Sequence, residues 1–301
     1  FKRALELYGT LDNNPDYSDY DEFLQKRVAD CKYALAHPEV ALPENEAVDN
    51  IGDAVNTDKP EYSPVYTGNK LYFTSKRQDD PKEKKNGIDG KYFESVYVSE
   101  RTGDGWSPPK KVELGETPGM GKRYGEAVAS ASPDGKSLYI YKGGQLWSTS
   151  VDDPSHKMEK LDKTVNFSDL QNHVCVSPDG NTMFLSSEAE GGRGGADLYM
   201  CEKQSDGSWG APKSLGHAIN TPYDEEGPFV NDNGVLFFAS NGLPGYGGFD
   251  IYRTTRINGE WTKPVNLGQP INSPGDDIFF ALQSQSSRGY FASARPGGKG
   301  D

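Results

Sequence analysis

From about Ile51 onward, apolar and polar positions alternate in short runs, and one pattern of runs recurs five times. Each unit opens with a stretch ending in a turn: EYSPVYTGNK, EAVASASPDGK, QNHVCVSPDGN, EGPFVNDNG and DIFFALQSQSSRG. Asp-Gly and Asn-Gly pairs suit tight hairpins because these residues adopt positive φ at little cost. A second strand follows at once as LYFTSKR, LYIYKGG, MFLSSEAEGG, LFFASNG and GYFASAR, with its second residue at Tyr72, Tyr139, Phe184, Phe237 and Tyr290. After a Gly-rich loop comes a third strand: SVYVSE, QLWSTS, DLYMCEK and DIYRTTR. A Gly and a Trp introduce the fourth in GDGWSPPKKVELG, DGSWGAPKSLG and NGEWTKPVNLG, whereas the second unit lacks the Trp and reads KMEKL. Four short strands per unit of roughly fifty residues predict an all-β propeller of four-stranded blades. Five blades are expected, with six as the alternative if the charged insertion from Gln78 to Glu94 holds another; that insertion reads more simply as a solvated loop.

The first residues follow a different period. Leu5, Tyr8 and Leu11, then Phe23, Leu24, Val28, Cys31 and Ala34, recur at three-to-four spacing and predict two helices. The intervening DNNPDYSD offers a Pro stop and an Asp or Ser N-cap, and His37-Pro38 ends the second helix. Ala4, Tyr8, Leu11 and Pro15 are similar to the series that closes a tetratricopeptide helix pair, with the last gap one residue short. The expected division is therefore a tetratricopeptide-like tail over 1–38, a linker over 39–50 and a propeller over 51–301.

The fifth unit stops at RPGGKGD, before a third strand. AVDNIGDAVNT, residues 47–57, reads as the end of a fourth strand followed by the phrase found at Leu215 to Thr221 and Leu267 to Ser273. A strand from before the first unit is thus expected to complete the last blade and remove two exposed edges. The missing third strand is expected just past Asp301.

Composition agrees with a strand-and-turn fold: 34% hydrophobic residues, 35 Gly, 20 Pro and 17 Tyr. A formal charge of -13 repels phosphate backbones and excludes nucleic acid as the expected partner. No stretch approaches the roughly 18 apolar residues of a membrane helix. Cys31, Cys175 and Cys201 have no metal-ligand spacing and are expected to be buried free thiols. No metal or other cofactor is expected.

Aligning the units places Glu61, Glu126, Gln171, Glu226 and Asp277 at one position, the start of the innermost strand, where they would ring one mouth of the central channel. Such a ring would attract a cation or a partner's Lys or Arg. Alternatively, each acid caps a turn or pairs with an Arg after the second strand, as Arg77 and Arg295 could. Trp106, Trp209 and Trp261 are expected to pack between blades. GGRGGAD and NGLPGYGGFD read as strand connectors rather than phosphate cradles, since no helix follows. No Ser-His-Asp or Cys-His arrangement emerges among the four histidines, so the chain is not expected to be an enzyme.

SPDG, LYFTSKR, GGFDIYRTTR, GEWTKPVNLG and INSPGDD resemble the TolB-type, WD-like propeller repeats of OmpA-family proteins of Bacteroidetes, a group that includes a component of type IX secretion. That resemblance implies a periplasmic, outer-membrane-associated scaffold that binds envelope or secretion-machinery proteins or peptide segments. It also implies a peptidoglycan-binding OmpA-like domain outside this chain. The alternatives are a glycan-binding or glycoside-cleaving propeller, which a pair of carboxylates could serve, and a TolB-like module that captures a peptide in its channel.

Overall fold

The computed structural model describes the chain apart from residues 12–13, 15, 17–19, 39–46, 79–80, 82–84, 86–89, 104, 118–123, 284–285 and 300–301. Four blade-like sheets follow one another. The first holds β1 (Glu61–Thr67), β2 (Lys70–Ser75), β3 (Ser95–Thr102) and the short β4 (Gly105–Trp106) and β5 (Lys110–Lys111), both paired with β3. The second is β6 (Glu126–Ala131), β7 (Ser137–Lys142), β8 (Gln145–Ser150) and β9 (Glu159–Lys160); the third is β10 (Gln171–Val176), β11 (Thr182–Ser187), β12 (Asp197–Glu202) and β13 (Lys213–Ser214). The fourth is β14 (Glu225–Val230), β15 (Leu236–Ser240), β16 (Asp250–Thr254) and, beyond the hairpin β17 (Arg256–Ile257) and β18 (Glu260–Trp261), β19 (Val265–Asn266). Among the described residues, the fifth unit holds β20 (Asp277–Leu282) and β21 (Gly289–Ser293).

The innermost strands β1, β6, β10, β14 and β20 pack in that order, and β20 returns to β1. Among the described residues the architecture is a propeller with four complete blades, the first of five strands and the others of four, and the fifth unit contributes two strands; a count of five or six complete blades is not confirmed. Most of the charged insertion and of the 39–50 linker lies outside the described residues, as do Pro15 and Asp301. The strand expected to close the last blade falls partly on residues outside the described ones, and residues 47–50 take no strand conformation. Residues 51–57 form a turn, held by Val55 and Asn56 amides donating to Gly52 O at 3.1 and 3.0 Å, with Gly52 at φ +99°. Ile51, Ala54 and Val55 pack on Leu71 and Tyr290, so this turn bridges the fifth and first units.

The hydrophobic core lies between blades. Trp106 meets Tyr290 edge-on at 5.9 Å, Trp261 meets Phe184 at 5.8 Å, and Trp209 packs in the cluster that contains Tyr139. Trp106 and Trp261 thus rest on the preceding unit's second strand, at the aromatic position visible in the repeat. The second and third blades are also joined to later units through the Gly-rich loops. A methyl group on Gly194 would lie 2.1 Å from Tyr223 O, backbone that leads into β14. Gly194→Ala is expected to destabilise the fold by about 2 kcal/mol through this clash, seen as a fall in the melting temperature.

Helices α1 (Lys2–Leu11) and α2 (Asp21–Ala36) pack on each other, and α2 docks on the β15–β16 loop. Asp30 accepts Gly245 N at 3.2 Å, Arg27 donates to Gly247 O at 2.9 Å, and Tyr246 Oη donates to His37 O at 2.9 Å. Leu24, Cys31 and Ala34 are buried, whereas Phe23 is exposed and Tyr20, with no side-chain cap, occupies the N-cap expected of Asp or Ser. The described residues contain one helix pair and no tetratricopeptide array. All three cysteines are free and buried.

Candidate functional site

The inner strands enclose a channel, and in the first, third, fourth and fifth units their first residues tie the strand to the turn before it. Glu61 accepts from Thr57 N and Oγ1 at 2.8 and 2.7 Å and from Ser75 Oγ at 2.8 Å, and pairs with Arg77 at 3.0 Å. Asp277 accepts Ser273 N at 2.5 Å and pairs with Arg295 at 2.9 Å. Glu126 pairs with Lys142 at 2.7 Å, and Gln171 donates to Ser168 Oγ at 2.6 Å. In the fourth blade this position belongs to Glu225, which accepts from Thr221 N and Oγ1 and from Ser240 Oγ at 2.7 to 2.8 Å. Strand register agrees: Glu225 faces Ser240 as Glu61 faces Ser75, Gln171 faces Ser187 and Asp277 faces Ser293. The expected alignment of Glu226 with the other four is therefore off by one residue. Bulges immediately inside the strand starts, of different size in different blades, blur the offset in sequence.

The next residue of each strand, Tyr62, Ala127, Asn172, Glu226 or Ile278, is only partly covered. Asn172 Nδ2 lies 3.4 Å from Glu226 Oε1, across two blades. Burial within the channel wall pushes the Glu226 carboxyl up to about 7, with Asp224 and Glu188 adding to the rise. Tyr141 feels Glu94, Glu188 and Glu226 together, and Tyr62 hydrogen-bonds Glu94, which pairs with Lys76 at 3.0 Å. Tyr62, Glu94, Tyr124 and Tyr141 line a cavity of about 480 Å³ at this mouth. The mouth is thus acidic and tyrosine-rich. Glu226 pairs with no Lys or Arg among the described residues.

One residue deeper, the channel narrows. Ser63 Oγ lies 3.0 Å from His173 Nε2, and the His173 ring stacks on Phe279 at 4.7 Å. Burial holds His173 down at about 4, so the imidazole is neutral at physiological pH. Ser63, Gly227 and Phe279 all take positive φ, and a methyl group on Gly227 would lie 3.0 Å from the Phe279 ring. Below this waist opens a wider cavity of about 870 Å³, lined by the β1–β2 and β6–β7 turns among others. The contact among Ser63, His173 and Phe279 spans three blades, so no local signal in the sequence marks it. Among the described residues no cluster of three or more metal-ligating side chains occurs.

No protein-family model matches the chain, and no curated protein matches it in sequence. Similar folds occur among solved structures. One is a TolB from Agrobacterium tumefaciens, 17% identical over 80% of this chain and 72% of that one, with a TM-score of 0.48. Another is an endo-arabinase from Bacteroides thetaiotaomicron, 12% identical over 81% of this chain and 92% of that one, with a TM-score of 0.49. A puromycin hydrolase is 10% identical over 81% of this chain; the chain spans only 51% of that protein, with a TM-score of 0.44. The expectation that the chain is not an enzyme is corrected by these findings, since propellers of this kind occur in hydrolases. No sequence-family match accompanies the resemblance to OmpA-family repeats.

Proposed function

We infer that the protein is a protein-binding propeller that receives a basic, extended segment of a partner polypeptide at the Glu226 mouth. Glu226 carries this reading: a carboxylate enclosed by the channel wall, beside tyrosines, with an amide against it and no cation. A Lys or Arg side chain, or a terminal amine, would find there both negative charge and aromatic faces. The net charge of -13 would speed its approach.

The likeness of the repeat phrases to OmpA-family propellers favours a periplasmic setting at the outer membrane. Within it, the specific role proposed is a type IX secretion component whose partners are secretion-machinery or other envelope proteins. The chain would divide into the helix pair over 1–38, a linker over 39–50 and the propeller over 51–301 on which the helices dock, and contact with peptidoglycan would belong to a further domain. Glu61, Glu126, Gln171 and Asp277 support the mouth by fixing the blades, leaving recognition to Glu226 and the tyrosines.

Calorimetric titration with a short lysine-rich peptide tests the reading. Affinity is expected to rise between pH 6 and pH 8 as Glu226 ionises, and Glu226→Gln is expected to flatten that rise. Equal pH dependence in the two proteins would place recognition elsewhere.

A further inference from the structure

The mouth that holds Glu226 has a floor and one low side. Its floor is a plug across the channel. In the ring β10 stands next to neither β1 nor β20, yet His173 of β10 meets Ser63 of β1 at 3.0 Å and stacks on Phe279 of β20 at 4.7 Å. Both contacts therefore cross the lumen. Ser63 and His173 are 2% and 8% exposed, and Tyr62, which lines the mouth, stacks on Phe279 at 5.9 Å. Gly227, the residue after Glu226, approaches so closely that a methyl group on it would lie 3.0 Å from the Phe279 ring. A polypeptide entering this mouth is stopped at the plug and does not thread the channel.

The low side is the second blade. On the face that carries the mouth, the second strand leads to the third through residues 76–94, 188–196 and 241–249 in the first, third and fourth blades. The second blade turns instead through Gly143 and Gly144 alone. The cavity of about 480 Å³ opens over that turn, between Tyr124 and Ala127 on one side and Leu170 on the other. β14 is not next to β6 in the ring, so Glu226 stands across the channel from this gap, close enough to bear on Tyr141 of β7. The result is a trench that runs in over the second blade and ends blind. Beyond Glu226 stands the 241–249 loop, which carries α2.

A blind trench admits a chain end, and its charge selects which end. Asn172 of β10 gives Glu226 one long N–H contact at 3.4 Å, and the charges that bear on it are Asp224 and Glu188. Glu94, on the near side of the trench, is held by Lys76. A terminal carboxylate is repelled by this set of acids, and a terminal ammonium is attracted. We propose, resting on the protein-binding role inferred above, that the mouth takes the free N-terminus of a partner polypeptide. The chain lies in the trench over Gly143 and Gly144, and its α-ammonium group meets Glu226.

An α-ammonium group loses its proton near pH 8, a lysine only above about pH 10. The free Glu226 carboxyl titrates at about 7. Pairing needs the acid ionised and the amine protonated, so affinity for an N-terminus peaks between about pH 7 and pH 8 and falls on both sides. Affinity for a lysine side chain would rise through pH 7 and then hold level.

The test is affinity selection on the full chain from two octapeptide libraries, read by mass spectrometry. One library has free N-termini and no Lys or Arg; the other is N-acetylated with a single internal Lys. At pH 7.5 the protein is expected to enrich free-amine peptides at least about tenfold over their acetylated twins, and Glu226→Gln to abolish the enrichment. Ala127→Trp fills the trench at a partly covered position across the channel from Glu226, and it is expected to abolish the enrichment as well. The most enriched peptide is then expected to show its affinity maximum between pH 7 and pH 8. Enrichment of the lysine library in its place, lost in Glu226→Gln, would overturn the chain end and leave the protein-binding mouth standing. No enrichment from either library would overturn both. Equal retention of acetylated twins, or enrichment that survives Ala127→Trp, would also overturn the proposal.

Discussion

Asn220→Ala is expected to lower the stability of the fold by about 3 kcal/mol, whereas Asn56→Ala is expected to change it by less than about 0.5 kcal/mol. Asn220 is 1% exposed, and it supplies the partner of the buried Leu198 amide, a second donor to Leu198 O and a bond to Ser214 Oγ at 3.0 Å. Truncation leaves that amide without a partner in a dry interior, while Leu198 O keeps the Leu215 amide. An unsatisfied buried group costs about 1–3 kcal/mol, and two lost hydrogen bonds and a small cavity add to it. Asn56 N makes the turn bond to Gly52 O that Asn220 N makes to Gly216 O, and among the described residues its side chain grips no strand, so its loss removes little. Urea denaturation of both variants measures the difference. Equal stabilities would mean that Asn220 is not a clamp.

Glu226→Gln is expected to stabilise the protein by about 2 kcal/mol at pH 8 and to have almost no effect at pH 4.5. The folded carboxyl is raised from 4.5 to about 7 by burial, so between those values the folded state holds a proton that the unfolded state has lost. Stability contributed by this group is complete below pH 4.5 and is lost as pH rises through 7. The full shift would correspond to about 3 kcal/mol, and the partial opening of the channel to water reduces it. Glu225 and Asp250, also raised to about 7 by burial, make the wild-type decline steeper, and the variant isolates the Glu226 share. Thermal melts of both proteins from pH 4.5 to 8 give the measurement. A variant no more stable at pH 8 would show that Glu226 is ionised at little cost and paired in solution. An acid kept at a cost to the fold is consistent with a group retained for binding.

The repeat was legible because its markers are local. Hairpin turns at SPDG and NDNG, the aromatic at the second position of each second strand, and the Trp of the fourth all lie within a few residues of what they determine. The ion pairs Arg77–Glu61 and Arg295–Asp277 were legible for the same reason, because the hairpin brings each Arg opposite its acid. What escaped sequence reasoning crosses blade boundaries. The Asn of the Leu-Gly-x-x-Ile-Asn phrase was visible as a repeated letter, yet its partner lies about twenty residues back, in the preceding blade. The same phrase at residues 51–57 was visible as a repeat, and its Gly and amide bonds make it the same turn. The one-residue slip that exchanged Glu225 for Glu226 came from bulges, which leave no fixed mark in sequence. That slip nevertheless led to the acid that faces the channel rather than the one that braces the blade.

The central claim is that the Glu226 mouth receives a polypeptide. It is tested most directly by placing a photo-crosslinking amino acid at Tyr124, which lines that mouth and is 53% exposed, and at Ile257, which lies on the peripheral β17–β18 hairpin. After irradiation in cells, the account predicts a discrete protein adduct from position 124, absent from position 257 and strongly reduced by Glu226→Gln. Equal adducts from both positions, or an adduct indifferent to Glu226→Gln, would contradict it.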